Sequence, residues 1–534
     1  MAINRQAFPV PPKGVPILGM NDIDLLTSKQ FWQGMMRRCV NYHLGVNGVT
    51  KRMGHQLYQA IGGIYVGGTG TTPVQSYAAW DWAGTRYLVA VCGGKLYYWN
   101  GSTWADISGA LTLNSGANSR FRWTMFHNGS TAYLCGSDGT NALFKWDGTS
   151  SPAVVLGGTP PTKAMGLSEF NGSLFVLNTD GGPTATEYSD SGVVDTWSSG
   201  QLFHCFRQSE GMGLIKHTDD LLLVFHRQSW AKNYFKYVDT GLVDSYYAQD
   251  PGGQNGLVSP DALVNYLGRT YYASDEGIFE IYSASDGTLQ ERHISRPISG
   301  TWRGLQLARK QYITCFAGGP WQEVVFLVSE VDTDECDAAL VYNPAIAQYH
   351  ANAGWTVFEG TGGKQKFNCG IVYRDSSERR LVLVGGYDGA TYEAWGTDQY
   401  PTSYTDRTSP ITSTLQTGYI DCGLEAWIKG LRAIQCDLLV NEDRNFNFLI
   451  YGSNYGISMA STSEAVGGGG DMIGVDFVFD ESYFAVEGVQ DFETNAIDQS
   501  ARFFQVQISE SSTGTPHSFS GLRFMFTPER KAIY

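Results

Sequence analysis

The residues best suited to chemistry in this sequence are short acidic runs, and the reaction that they could support is hydrolysis of a glycosidic bond. Two such runs are Ser189-Asp-Ser-Gly192, with Trp197 close by, and Ser283-Ala-Ser-Asp-Gly287. Such hydrolysis needs a pair of carboxyl groups at the bond, and an acidic sugar also needs a cluster of arginines that clamps its carboxylate. The candidate arginines stand at unrelated places in the chain: Arg37, Arg38, Arg292, Arg296, Arg379 and Arg380. The spacing therefore predicts no such clamp.

Both acidic runs resemble degenerate forms of the turn called the Asp box. That turn is structural even in the sialidases that contain it, so we interpret these residues as turn formers. The sequence predicts no catalytic residue and no enzyme. Exposed aromatic side chains could still stack on sugar rings, but Trp99 and Trp146 recur at strand positions, where packing between strands is the better interpretation.

Metal and cofactor sites are also not predicted. The run Asp332-Thr-Asp-Glu-Cys-Asp337 places oxygen ligands at alternate positions, but it lacks the glycine and the final glutamate of a calcium loop. We interpret it as a solvated hairpin tip. His217, His226 and His293 show no metal-ligand spacing, the nine cysteines include no CxxC pair, and no phosphate-binding loop or nucleophile elbow occurs.

Composition indicates which elements carry these residues. The chain has 534 residues, of which 64 are glycine, while aromatic residues make up 13% and charged residues only 17%. This mixture disfavours helices and is typical of many short strands joined by tight turns. The sequence therefore predicts an all-β protein.

Turn signals recur along the middle of the chain. Asn128-Gly129 and Asn171-Gly172 each precede an apolar run, and Trp99-Asn-Gly101 and Trp146-Asp-Gly148 each follow a predicted hairpin. Asn-Gly and Asp-Gly adopt positive φ at low cost and close hairpins. Gly93-Gly94, between two apolar runs, marks the clearest single hairpin.

A repeat of about 40–50 residues with several short strands per unit indicates a β-propeller. We predict a propeller over residues 55–401 with roughly seven blades, six or eight being open alternatives. Two ordinary β-sandwiches would share the strand lengths and turns. Residues 1–54 do not follow the repeat and are predicted to form an extended N-terminal arm. Residues 402–534 alternate with period two and are predicted to form a C-terminal β-sandwich-like domain.

The net charge of the chain indicates which binding partners are improbable, and its cysteines indicate the compartment in which it is made. The net charge is −15, which does not fit a protein that grips DNA phosphates. Scattered cysteines suggest reduced thiols in a protein made in a cytoplasm. We expect no secretory signal and no membrane segment, since no long apolar run occurs.

Short phrases spread over the whole chain resemble one known family. They are Gly14–Asn21, Cys39-Val-Asn…Lys51-Arg-Met-Gly54, Leu257–Ile278, and Thr412–Gly423 followed by Lys429-Gly-Leu431. They are similar to the nozzle proteins, also called tail tubular protein B, of short-tailed phages (podoviruses), in which a C-x-N…K-R-P-G phrase leads into a propeller. Met53 stands where that family has proline.

The resemblance implies a structural virion protein of a bacteriophage tail, made in the host cytoplasm. It implies a homo-oligomeric ring, commonly a hexamer, below the portal and the tail adaptor protein, with tail fibres or tailspikes as further partners. The ring would retain the genome and let DNA through during genome ejection without sequence-specific binding. Acidic residues along the bore would favour passage of DNA. The alternatives are a propeller-type tail protein that binds a receptor or degrades a glycan, and a propeller scaffold unrelated to viruses.

Overall fold

A computed structural model describes most of the chain and confirms the all-β, propeller-like fold. The described residues are 17–23, 34–46, 48–58, 72–129, 131–149, 151–205, 209–237, 243–330, 334–350, 352–360, 366–397, 399, 401–420, 427–440, 444–452, 458–466, 489–493, 499–501 and 503–531.

Seven groups of four antiparallel strands occur in the described part of the chain, and we name them blades 1 to 7. Blades 1 to 5 are separate four-stranded sheets, whereas blades 6 and 7 belong to one 14-stranded sheet. Blades 1 to 6 take their strands in chain order. The strands of blades 1 to 3 are Val74–Trp82, Thr85–Cys92, Lys95–Trp99 and Trp104–Asp106; Arg122–His127, Ala132–Ser137, Phe144–Trp146 and Val154–Val155; Gly166–Phe170, Ser173–Thr179, Gly182–Tyr188 and Leu202–His204. The strands of blades 4 to 6 are Gly211–Thr218, Leu221–His226, Trp230–Tyr237 and Val243–Gly253; Leu263–Tyr266, Arg269–Ala273, Ile278–Ser283 and Leu289–His293; Thr314–Gly318, Glu323–Val328, Ala338–Tyr342 and Trp355–Glu359.

The predicted turns join strands inside the blades. Asn171 and Gly172 have φ of 51° and 72° and form a two-residue loop between Phe170 and Ser173, which are paired. Such turns match the twist of the strands that they connect. Asn128-Gly129 lies in the loop between the same two strands of blade 2, so the turn repeat marks equivalent positions in successive blades.

The first strands of most neighbouring blades contact one another around a common axis, and Trp123 Nε1 of blade 2 donates a hydrogen bond to Ser76 Oγ of blade 1. Apolar residues fill the space between blades; Val74 and Leu88 of blade 1, for example, share a cluster with Cys369 and Leu383 of blade 7. Contact between the first and last blades closes the ring, so no blade keeps an open face there.

Blade 7 is closed by a strand from far away in the sequence. Its first three strands are Phe367–Arg374, Arg380–Gly386 and Thr391–Ala394, and its fourth is His55–Leu57. Tyr392 pairs with Leu57 and Ala394 with His55. In the part of the chain that the structure describes, the propeller therefore has seven blades, one of which combines both ends of the repeat region.

The C-terminal strands form two further layers. One layer contains Thr405–Asp406, Ser409–Gln416, Arg444–Tyr451, Ser458–Val466 and Gln505–Ser512. The other contains Trp427–Leu439, Val489–Glu493, Gln499–Ala501 and Ser518–Lys531. Phe446 and Phe448 of the first layer share one apolar cluster with Leu431, Leu522 and Phe524 of the second.

The described part of the N-terminal segment is built into these sheets. Arg38–Val40 pairs with the outer strand of blade 6 and with Ser409–Gln416, and so continues the propeller into the first layer. Tyr42–Gly45 and Gly48–Lys51 add to the edge of the second layer. Residues 1–16 and 24–33 of the predicted N-terminal arm lie outside the described residues. The described part of the arm pairs with neighbouring sheets. The boundaries of the three predicted segments stay a prediction.

The remaining elements are small. Gly19–Met20 pairs with Met35–Met36 in a parallel two-stranded sheet. The helical elements are Arg296–Ile298, Ser299–Gly304, Leu307–Tyr312 and Pro344–Ala347. Among the described residues, no helix has the length and apolar character needed to cross a membrane.

Candidate functional site

The two acidic runs hold turns in the structure. Asp190 lies between the third and fourth strands of blade 3, where its carboxylate accepts hydrogen bonds from Ser198 Oγ at 2.9 Å and Gln201 Nε2 at 2.5 Å. Asp286 lies at the equivalent place in blade 5 and accepts from the backbone N–H and Oγ1 of Thr288. Both carboxylates are used locally, as expected of turn formers.

Three of the six candidate arginines take part in separate ion pairs. Arg38 contacts Glu359 of blade 6 at 2.8 Å, Arg292 contacts Glu280 of blade 5 at 2.7 Å, and Arg379 contacts Asp375 of blade 7 at 2.6 Å. These pairs belong to different blades, so the structure does not gather these three guanidinium groups around one pocket.

The three candidate histidines also have local partners. His217 Nδ1 lies 2.8 Å from Thr270 Oγ1, and the His293 ring stacks on Phe279. His226 Nδ1 lies 3.0 Å from the Ser209 carbonyl oxygen. Burial lowers the pKa of His217 and of His293.

In the predicted hairpin tip, Asp332 lies outside the described residues, Asp334 is exposed, and Asp337 accepts a hydrogen bond from the Glu330 N–H. No group of three or more potential metal-binding side chains occurs in the described part of the chain. Several cysteines are buried as apolar groups: burial raises the pKa of Cys39 and of Cys369 to about 12.

The most connected polar cluster was missed by the sequence reasoning. We call it the N-terminal clasp and define it as Asn41, Lys51, Arg52, Gly54 and His55. All five are buried. They link the N-terminal segment to blade 6, blade 7 and the first C-terminal layer.

Arg52 is the centre of the clasp. Its guanidinium group donates two parallel hydrogen bonds to the Asp406 carboxylate, at 2.9 and 2.7 Å, and Nε donates to Asn41 Oδ1 at 2.7 Å. The remaining two donors reach the carbonyl oxygens of Met53 and Glu359. Every N–H group of the guanidinium is thus satisfied, which a buried arginine requires.

Asp406 also contacts His55, whose Nδ1 lies 3.1 Å from Oδ1. Burial acts to raise the pKa of Asp406, but Arg52 and His55 outweigh it and hold that pKa well below its usual range. Burial lowers the pKa of His55, and Asp406 offsets only part of this effect. The pair is therefore a carboxylate beside a guanidinium, with a histidine that orients the carboxylate.

Lys51 connects the clasp to the first C-terminal layer. Its Nζ lies 2.5 Å from Glu510 Oε2, and Arg444 Nη1 lies 3.1 Å from the other carboxylate oxygen. All three side chains are buried. Burial lowers the pKa of Lys51, and Glu510 opposes that change. Two cations share one carboxylate inside the protein.

Gly54 allows the chain to pass close to Thr405. A Cβ at residue 54 would lie 2.0 Å from the Thr405 carbonyl oxygen. The Gly54 N–H donates to the Ser403 carbonyl at 2.7 Å, and its own carbonyl accepts from Thr402 Oγ1. The Lys-Arg-x-Gly spacing of residues 51–54 was the signal in the sequence that could have indicated this cluster.

A separate cavity lies on the propeller axis. Two hollows of about 500 and 680 Å³ share Arg120, Arg122, Pro260 and Asp261. The first is lined by residues from the inner edges of all seven blades. The second opens where several inner strands begin and includes Asn118 and Tyr312.

The comparisons with known proteins return likenesses of shape at low identity. No family model and no curated protein matches the chain. The chain is similar to the computationally designed Ika8 protein, with 12% identity and a TM-score of 0.35 over 62% of this chain and 98% of that one. It is also similar to BBS1N in complex with ARL6DN, with 12% identity and a TM-score of 0.36 over 66% and 99% of the two chains.

A third solved structure is the extracellular domain of the hybrid two-component system BT3049 from B. thetaiotaomicron. Its identity is 10% and its TM-score 0.38, over 64% of this chain and 42% of that one. Overlaps of this quality carry no information about function.

Proposed function

We propose that this chain is a structural protein of a phage particle that forms the distal tube, or nozzle, of a short tail. In this proposal, copies of the chain assemble into a ring that retains the genome and conducts DNA during ejection. The observation that carries the proposal is the N-terminal clasp. The phrase Cys39…Gly54 that resembles the nozzle proteins is the same segment that joins the propeller to the C-terminal layers.

A subunit of a tube that holds pressurised DNA must keep its shape when its neighbours push on it. Here the outer strand of blade 6 continues through Arg38–Val40 into the first C-terminal layer. Asp406, in that layer, is bound to Arg52 within the segment that also supplies the last strand of blade 7. Continuous hydrogen-bonded sheet and a buried ion pair resist relative movement of the two parts, which supports a load-bearing role.

The net negative charge of the chain is compatible with the proposed role as a conduit for DNA. The chain has a net charge of −15, and an acidic surface repels DNA phosphates instead of binding them. A conduit for DNA works best when its wall does not hold the strand. The proposal therefore expects weak binding of the purified protein to duplex DNA at physiological salt.

The proposal is tested by electron microscopy of the full chain, alone and mixed with the portal–adaptor complex of the same phage. We expect rings that attach below the adaptor, with one copy of the chain per ring position. A stable trimer that ignores the adaptor and releases sugars from host glycans would instead establish the receptor-binding or glycan-degrading alternative. A monomer that binds neither the portal–adaptor complex nor host glycans would also overturn the proposal.

A further inference from the structure

We propose that the axial cavity of the propeller contains a binding site for a small oxyanion, such as phosphate or a carboxylate. Arg120 would be the main ligand, assisted by Arg122, and Arg309 would add positive charge from behind the cavity wall. This inference does not depend on the proposed nozzle function.

Arg120 is the first reason. The residue is only 5% exposed, and it lines both axial hollows. Its Nη1 makes one long contact, 3.4 Å, with the Ser119 carbonyl oxygen. Its Nε and Nη2 have no hydrogen-bond partner among the described residues. A buried guanidinium with unsatisfied donors is costly, and an anion in the cavity would satisfy them.

Arg309 is the second reason. This residue is 8% exposed and lies in the segment Leu307–Tyr312, beside the second hollow of about 680 Å³. Its Nη1 donates to Asn118 Oδ1 at 3.2 Å, while Nε and Nη2 have no partner in the described part of the chain. Asn118 lines the cavity two residues before Arg120. The Arg309 guanidinium therefore lies behind the wall of the hollow that Arg120 lines, in contact with the wall residues Asn118 and Tyr312.

Their proximity is also visible in a shared neighbour. Burial raises the pKa of the Cys336 thiol, and the positive charges of Arg120 and Arg309 both oppose that rise. The two guanidinium groups thus act on one small region between blade 6 and the loop before blade 2. Planar guanidinium groups match the geometry of carboxylate and phosphate oxygens.

The carboxylates of the cavity leave these donors available. Asp261 contacts Arg122 Nη2 at 3.4 Å, which is a loose pair. Asp138 is already occupied, because it accepts from the backbone N–H groups of Asn114 and Asn141. Glu169 accepts from the Gly172 N–H, and Glu210, which lines the second hollow, is an exposed side chain. Asp261 is therefore the side chain that competes most directly with an incoming anion.

The test is isothermal titration calorimetry of inorganic phosphate into the full chain, purified without phosphate, sulfate or carboxylate buffers. Ionic strength is held constant with sodium chloride. We expect saturable binding, and Arg120→Gln should weaken it about tenfold or more. Asp261→Asn removes the competing charge and should tighten it severalfold. Arg303→Gln, on an exposed residue outside the cavity, should leave it unchanged.

Acetate, titrated in the same way, separates the two ligand sources. Saturable binding of acetate but not phosphate, lost in Arg120→Gln, would assign the site to carboxylates; the reverse would assign it to phosphate. The absence of saturable binding of either anion to the wild type would overturn the proposal, as would equal affinity in Arg120→Gln. If Arg120→Gln does not fold, unchanged affinity in Asp261→Asn has the same force.

Discussion

Asp406 is a buried carboxylate that stays charged because each of its contacts favours the charged form. Arg52 binds both carboxylate oxygens and His55 lies 3.1 Å from one of them. Because these groups lower its pKa in the folded protein, the stability that Asp406 contributes is present above the carboxyl pKa of the unfolded chain, about 4. It is lost as the pH falls below that value.

Substitution Asp406→Asn should destabilise the protein by about 3–5 kcal/mol, because it leaves the Arg52 charge buried without a counter-ion. Urea denaturation at pH 7.5 measures the change. The matched control is Lys95→Gln, which breaks an ion pair whose side chains are 59% and 44% exposed and should cost at most about 1 kcal/mol. Equal effects of the two substitutions would contradict the role given to the clasp.

For Glu330 the expected pH dependence of stability is opposite to that of Asp406, because the pKa of Glu330 is raised in the folded protein. Burial raises its pKa to about 7, with further contributions from Glu359 and Asp337 and a smaller opposing one from Arg38. In the folded protein this carboxyl keeps its proton at a pH where the unfolded chain has lost it. Its stabilising contribution is therefore full below its unfolded pKa and is lost as the pH rises through about 7.

Substitution Glu330→Gln removes the ionisable carboxyl group, and with it the loss of folding stability at high pH. We expect the variant to be more stable than the wild type by about 1–2 kcal/mol at pH 8.5, after allowance for partial exposure, with a smaller difference at pH 5. Denaturation curves at the two pH values measure this. Glu276→Gln, on an exposed loop residue, serves as the control with no pH-dependent difference. A variant that is less stable at high pH would show that the environment of Glu330 is misassigned.

At the residue scale the sequence was informative about turns and uninformative about the clasp. Asn171 and Gly172 act within a few residues of their own position, so their residue types predict the turn. Arg52 and Asp406 are separated by 354 residues, and nothing local at either position indicates the other. The unpaired donors of Arg120 likewise depend on which side chains the ring brings near them.

At the scale of elements, Gly54 decides whether the N-terminal segment can reach blade 7. Substitution Gly54→Ala would place a methyl group 2.0 Å from the Thr405 carbonyl oxygen. The nearest atoms belong to the backbone of Thr405 and Asp406, which cannot move aside as a flexible side chain could. We expect a loss of more than about 3 kcal/mol, comparable to strong overpacking. Thermal denaturation followed by circular dichroism is a suitable measurement.

Gly304→Ala is the matched control for that experiment. Residue 304 ends a short helix and has no heavy atom within 4 Å of a built Cβ. The substitution should be neutral or stabilise by up to about 1 kcal/mol, since it reduces the freedom of the unfolded chain. If Gly54→Ala were as well tolerated as Gly304→Ala, the close approach at Thr405 would be wrong.

Elements that pair with their neighbours along the chain were predictable, and those that pair across it were not. The hairpins of blades 1 to 3 follow from alternating apolar runs and Asn-Gly turns. The last strand of blade 7, His55–Leu57, is only three residues long and pairs with strands more than 300 residues away. So short a strand has no pattern of its own, so the sequence does not indicate that it completes blade 7.

At the scale of the whole molecule, the segment from Met35 to Tyr58 belongs to every major part. It pairs with blade 6, blade 7 and both C-terminal layers. The propeller and the C-terminal layers should therefore behave as one body, and this rigidity is what the nozzle proposal relies on. A propeller of roughly seven blades was predicted, with six or eight left open, but the way in which the parts are locked together was not.

Hydrogen exchange of the full chain, followed by mass spectrometry, tests that locking most directly. We expect backbone amides of residues 38–57 to exchange as slowly as those of the buried strands Leu221–His226 and Glu323–Val328, because they open only with the whole protein. The exposed loop at residues 147–149 provides the fast-exchanging reference within the same sample. Exchange of residues 38–57 as fast as that loop would show a detached arm and contradict the account.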